Sequence, residues 1–124
     1  MSQIVRTKSN DLGLGDDLFV QGSRASGTAK STSDIDLAIR VSPEQFDDFL
    51  FNQSRLRNVN PGSANERTLQ HAIETGKIQA GEARLSSTRK QLEQMLNMKV
   101  DLSVIKSGGQ FDNGAQLPLL PLRQ

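Results

Sequence analysis

Residues 19–41 read FVQGSRASGTAKSTSDIDLAIRV, and the reading of this stretch decides the fold. From Asp34 to Val41 apolar and polar residues alternate. Ile35, Leu37, Ile39 and Val41 fall on one side; Asp34, Asp36, Ala38 and Arg40 fall on the other. Side chains of a strand point alternately to its two faces, so this period of two predicts a half-buried strand whose polar face carries both carboxylates. Upstream, Leu18-Phe19-Val20 centres a shorter strand over Asp17–Gln21 that ends in Gly22-Ser23. A spacer of ten small and polar residues joins the two.

Downstream the pattern changes to helical. Ser42-Pro-Glu-Gln45 supplies an N-cap, a proline at the first helical position and a capping-box glutamine. Phe46, Phe49 and Leu50 then form an apolar stripe, with Phe51 as the aromatic that must lie off it. After the Asn60-Pro-Gly turn, Ser63 and Glu66 form a second capping box. It opens a helix that should turn Leu69, Ala72 and Ile73 inward and stop at Gly76. A third helix, over roughly 87–97, sets Leu92, Met95 and Leu96 at core spacing, with Met95 and Met98 read as core fillers. From Lys99 to Ile105 alternation returns, with Val100, Leu102 and Val104 on one face and Asp101 and Ser103 on the other.

Residues 1–16 show no periodicity and carry two glycines, which predicts a loosely held, flexible arm. The tail from Ser107, with Gly108-Gly109 and two prolines, reads as extended and irregular. The expectation is an N-terminal arm over 1–16 and a single domain over 17–124. Its fold class is α/β (α+β), a small mixed sheet with helices on one face.

Composition narrows the function. The 124 residues suit one domain with a modest core, and 35% hydrophobic with 23% charged residues is a globular balance. Five Phe with no Tyr or Trp weigh against the aromatic platforms of single-stranded nucleic-acid binders. A net charge of +1 offers no broad basic field, so a polyanionic substrate needs a local site. The absence of cysteine excludes disulfides and thiolate metal sites, and leaves no cross-link to resist threading through a membrane. No apolar run approaches the roughly 18 residues a spanning helix needs. The polar start is unlike a signal peptide. The chain reads as cytosolic, and fits equally a domain cut from a longer exported protein.

The chemistry gathers on the polar faces. Asp34 and Asp36, at i and i+2 of one strand, project side by side, and Asp101 from a neighbouring strand can join them. Like charges crowded together cost free energy unless a cation neutralises them. An oxygen-only ligand set suits Mg²⁺, which binds through a few carboxylates and substrate phosphates. Gly22 lets the backbone approach a ligand, the N–H groups after it can point at phosphate, and Ser23 and Arg24 add a donor and a charge. Taken singly, each feature also reads as an ordinary turn or a solvated strand face. Together, strand, Gly-Ser, spacer, Asp-x-Asp and a later aspartate are specific.

This combination resembles the signature of the polymerase-β-like nucleotidyltransferase superfamily, above all its minimal single-domain members. The resemblance implies that Gly22 and Ser23 contact a nucleoside triphosphate and that Asp34 and Asp36 hold two Mg²⁺ ions. It further implies that Asp101 completes the metal site and activates the acceptor. Such members usually carry a helix ahead of the first strand, where residues 1–16 show no helical pattern. A second, broader resemblance covers most of the chain from Val20 to Leu120: the segment NPGSANERTLQHAIETGKIQAGEARLSSTRKQLEQML, followed by VDLSVIKSGGQFDNGAQLPL, is similar to C-terminal toxin domains of bacterial filamentous-haemagglutinin and contact-dependent inhibition proteins. That likeness implies a delivered toxin acting in the bacterial cytoplasm of a target cell, and a cognate immunity protein. The acceptor is then an RNA end, such as a tRNA 3′ terminus, or a protein hydroxyl receiving AMP from ATP. Two other readings stand beside it: a minimal nucleotidyltransferase antitoxin that modifies a partner protein, and an inactive nucleotide- or partner-binding module.

Beyond the motif, His71 and Lys77 sit on or just after the second helix. Either is an exposed helix-end residue or a group reaching the nucleotide, and Lys77 is the candidate nucleotide contact. Arg84, Arg89 and Lys90 form a loose basic group, read as a solvated face or as an acceptor patch.

Overall fold

The computed structural model describes residues 2–15, 17–21, 35–112 and 116–118. In chain order these form α1 (Ser2–Asp11), β1 (Leu18–Gln21), β2 (Ile35–Val41), α2 (Pro43–Asn52) and α3 (Ala64–Thr75). There follow β3 (Lys77–Gln79), α4 (Ser86–Leu96), β4 (Val100–Lys106) and β5 (Gln116–Pro118). The strands make one mixed sheet in the order β3-β4-β2-β1-β5. Only β2 and β4 run parallel, with Ile35 opposite Val100 through Val41 opposite Lys106; the other pairs are antiparallel.

The alternation of β2 and β4 decides which sheet face is covered. Ile35, Leu37, Ile39 and Val41 join Val100, Leu102 and Val104 in one cluster with Phe46, Phe49, Leu50, Ala72 and Leu92 from the helices. Ile39, Leu50, Leu92, Leu102 and Val104 are fully buried. The small mixed sheet with helices on one face is therefore the architecture observed.

Local chemistry sets the helix ends. The Ser42 side chain accepts from the Gln45 N–H at 3.1 Å, and the Gln45 side chain accepts from the Ser42 N–H at 3.1 Å. At Ser63 one half of the box forms, the hydroxyl accepting from the Glu66 N–H at 3.1 Å. Gly76 ends α3 in the left-handed region, φ 69°. Its N–H donates to Ala72 O and its carbonyl accepts from the Lys106 N–H, both at 2.9 Å. One glycine thus closes a helix, ties it to the end of β4 and starts β3.

Several expectations need correcting. The segment read as an arm without helical pattern contains α1, anchored by the buried Val5 and by the Ser9 hydroxyl, which donates to Gly15 O. Residues 77–79, to which the sequence pattern assigns no strand, pair with β4, and 116–118, within the irregular tail, pair with β1. Ile73 is 40% exposed and Met95 57%, so neither fills the core; Met98 packs partly against it. Phe51, at 46%, is the phenylalanine off the stripe.

The face opposite the helices has its own small cluster: Phe19, Ala38 and Ile105. The chain leaving β4 crosses it to reach β5 and is clamped by Arg40. The guanidinium sits 4.9 Å from the Phe19 ring centroid and bonds Asp17 at 2.8 Å, Asp112 at 2.9 Å and Gln116 at 3.2 Å. Burial works against the Asp112 charge, but bonds from the Gly108 N–H, Gln116 and Arg40 outweigh it and hold this carboxyl below its ordinary value.

Gly76→Ala would place a Cβ 3.2 Å from Lys106 Cβ on a left-handed backbone. A loss of about 1–2 kcal/mol is expected in urea unfolding. Arg40→Met, which removes the shared partner of Asp17 and Asp112, should cost about 1 kcal/mol in the same measurement.

Candidate active site

In-register parallel pairing of β2 with β4 makes Asp36 and Asp101 direct neighbours on the face away from the helices, while Gln21 of β1 flanks Asp36 on its other side. Gln21, Asp36 and Asp101 thus form one row across three strands. Asp101 is exposed; Asp36 is half-buried, and its Oδ1 is shut from solvent with no hydrogen-bond partner among the described residues. Burial first, and then the adjacent Asp101 charge, push the Asp36 carboxyl above its ordinary value, against the pull of Lys77.

Lys77 reaches this region because Gly76 launches β3 along the sheet edge. Its ammonium lies 4.7 Å from the centroid of the Phe111 ring. The Phe111 carbonyl in turn accepts from Gln21 Nε2 at 2.8 Å. The crossing segment is therefore pinned beside the carboxylate row by β1, through a backbone carbonyl, and at the level of Ile105 by β3, through a cation–π contact worth about 0.5–2 kcal/mol. Two residues beyond Asp101 on the same face, Ser103 is fully buried, and its hydroxyl has no partner among the described residues.

Of the residues expected at the site, the structure brings together Asp36, Asp101 and Lys77. Gly22, Ser23, Arg24 and Asp34 lie outside the described residues. Among the described residues no three acidic or histidine side chains are grouped to hold a metal, so what is seen is a pair. That pair fits a cation: a buried carboxylate oxygen without a donor, beside a second carboxylate, is relieved most directly by a positive charge. His71 is exposed on α3, and Arg89 is engaged by Glu93 at 2.9 Å. Sequence reasoning gave no functional weight to Gln21, Ser103 or Phe111. Gln21 precedes Gly-Ser and Ser103 follows Asp101 by two, so both carried a positional signal. Phe111, in a glycine-rich stretch, carried none.

A family model described as nucleotidyltransferase domain matches residues 1–115. The chain belongs to this nucleotidyltransferase family. The match runs through α1 and strands β1 to β4, and agrees with the polymerase-β-like likeness of residues 19–41. No curated protein and no solved structure matches the chain. Membership makes nucleotidyl transfer the general activity.

The raised Asp36 carboxyl has a thermodynamic sign. Folded protein keeps a proton that the unfolded chain has lost, so in metal-free buffer stability falls as pH rises from the ordinary carboxylate value through the raised one. Asp36→Asn should melt at a higher temperature than the parent at pH 7. The gap should close as pH falls to the ordinary value, read by circular dichroism melts across pH.

Proposed function

We propose that this chain is a Mg²⁺-dependent nucleotidyltransferase that moves an NMP group from an NTP to an acceptor hydroxyl, as the toxin domain of a larger secreted bacterial protein. The observation that carries the enzymatic part is the Asp36–Asp101 pair with its unpartnered, buried Asp36 oxygen. The toxin part rests on the likeness of residues 20–120 to such domains. With it come action in the cytoplasm of a target bacterium and a cognate immunity protein.

In this reading Asp34, Asp36 and Asp101 hold Mg²⁺, which when bound neutralises charge on the reacting phosphate. Gly22 and Ser23 orient the triphosphate, Arg24 adds charge to its binding, and Lys77 balances the α-phosphate from the opposite edge. The acceptor O–H gives its proton towards the Asp101 carboxylate while its oxygen bonds to the α-phosphorus. The bond from α-phosphorus to the bridging oxygen breaks, and pyrophosphate leaves with that electron pair. Preorganised charge, with no covalent enzyme intermediate, supplies the stabilisation.

The test mixes the protein, Mg²⁺ and each α-labelled NTP with bacterial total RNA and soluble protein. Label is expected to enter RNA, with Asp36→Ala or Asp101→Ala lowering transfer by about a thousand-fold or more. Mg²⁺ should raise the melting temperature of the parent and not of Asp36→Ala. Label confined to one protein band would point to AMP-type modification, the antitoxin reading included. A folded chain that labels nothing and is indifferent to Mg²⁺ and NTP would overturn the enzymatic reading.

A further inference from the structure

Asp101 is the second residue of β4, and strand ends are where backbone pairing opens first. On one side β2 supports it: Asp36 stands directly opposite, and the Ile35 N–H donates to Lys99 O at 3.0 Å. On the other side β3 stops short, its last residue Gln79 pairing with Ser103. The early end of β3 leaves an open groove of about 370 Å³, whose lining includes Gln79, Gly81, Arg89, Glu93, Lys99 and Asp101. Glu93, from α4, takes the place that a longer β3 would fill. Its Oε2 accepts from the Val100 N–H at 3.0 Å, and its Oε1 accepts from Arg89 Nη1 at 2.9 Å.

We propose that Glu93 is a positioning residue: by holding the Val100 N–H it fixes Asp101 beside Asp36, in register to share a cation and to receive the acceptor's proton. The inference rests on the nucleotidyltransferase reading above and adds to it a residue that acts through Asp101.

Glu93 stands where helix electrostatics disfavour it. It lies in the last turn of α4, where the free carbonyls carry partial negative charge, and it lines the same groove as the Asp101 carboxylate. Its tie to Arg89, four residues earlier, runs in the less favourable order for a helix, acid after base. Neither side chain is therefore placed to serve the helix. Both serve the strand: Arg89 holds Oε1 and leaves Oε2 for β4. Asn97, left-handed at φ 52°, ends α4 and turns the chain back so that the Val100 N–H comes within reach. A bond to an ionised acceptor is roughly twice as strong as a neutral one, and this one falls on the residue next to Asp101. The carboxylate row thus has a support on each flank, Gln21 beside Asp36 and Glu93 beside Asp101. Gly22 and Ser23 directly follow β1, so their contact with the triphosphate is separated from Glu93 by β2 and β4.

The test separates reach from charge in the full chain. Glu93→Asp keeps the charge but is one methylene short of the Val100 N–H; Glu93→Gln keeps an acceptor oxygen at full reach and gives up the charge. Ile39→Val, in the core, is a control for lost stability alone. Amide hydrogen exchange reads the Val100 bond, calorimetry with Mg²⁺ alone reads the carboxylate pair, and transfer of α-labelled NTP gives kcat and KM. Melts keep every titration below unfolding. In Glu93→Asp the Val100 amide should exchange faster, and Mg²⁺ affinity and kcat should each fall about 10- to 100-fold, the loss typical of a group that orients a metal ligand, with KM for NTP held within about two-fold. Glu93→Gln should stay within about three-fold of the parent in all of these. Ile39→Val should melt lower and leave Mg²⁺ affinity and kcat unchanged. Parental Mg²⁺ affinity and kcat in Glu93→Asp would overturn the proposal and leave the nucleotidyltransferase reading standing. So would a loss in Glu93→Gln as large as that in Glu93→Asp, which would assign Glu93 a role through charge, or an equal loss in Ile39→Val. A parent that neither binds Mg²⁺ nor transfers nucleotide would sink both.

Discussion

Everything at the candidate site depends on the parallel pairing of β2 with β4. Were β4 to slip by one residue, its side chains would exchange faces, sending Asp101 into the helix-covered core and Leu102 to the open face. The register is held because Ile35, Leu37, Ile39 and Val41 on β2 and Val100, Leu102 and Val104 on β4 must all be buried together. Burying each such side chain contributes about 1.5–3 kcal/mol. That is more than enough to bear the cost of two neighbouring carboxylates, one of them half-desolvated. The core thus fixes the position of charges that do not themselves stabilise it.

The two faces of the sheet divide the labour. The helix-covered face carries the packing; the other carries charge and, among the described residues, an unpartnered Asp36 oxygen and Ser103 hydroxyl, and the crossing segment passes over it. Arg40 anchors this cover at one end and Phe111 spans it at the other, between Gln21 and Lys77. A thin cover leaves the carboxylate row near solvent while walling it on one side, the arrangement a site needs if charged substrates are to enter.

The parts of the fold legible in the sequence were those in which one segment encodes its own answer. The alternation of residues 34–41 and 99–105 is a local pattern, and so are the Ser42 box and the Gly76 stop. Other elements have no such signature. β3 is three residues long with one core side chain, Ile78, and exists because β4 offers it partners. α1 has only Ile4 and Val5 as large apolar residues, and part of its anchorage is the polar side chain of Ser9. Ile73 and Met95 follow helical spacing faithfully, but the core-facing stripe of each helix is narrower than the pattern suggests. At the site, Asp36 and Asp101 were legible because strand alternation puts them on the open face. Phe111 was not, since its place is set by contacts with residues far away in sequence.

The strand order also bears on how the molecule is assembled. β2 pairs with β1 through a nearby connection, but its other partner, β4, and the outer partner of β1, β5, both come from the last quarter of the chain. Contacts between residues so far apart in sequence must overcome loop-closure entropy before they return any stability, so folding of this topology is comparatively slow and late. Asp36 is laid down early during synthesis yet acquires its neighbour only when β4 docks. A chain emerging from a ribosome or a translocation channel in N-to-C order would therefore have no paired carboxylates, and no site, until nearly all of it was out.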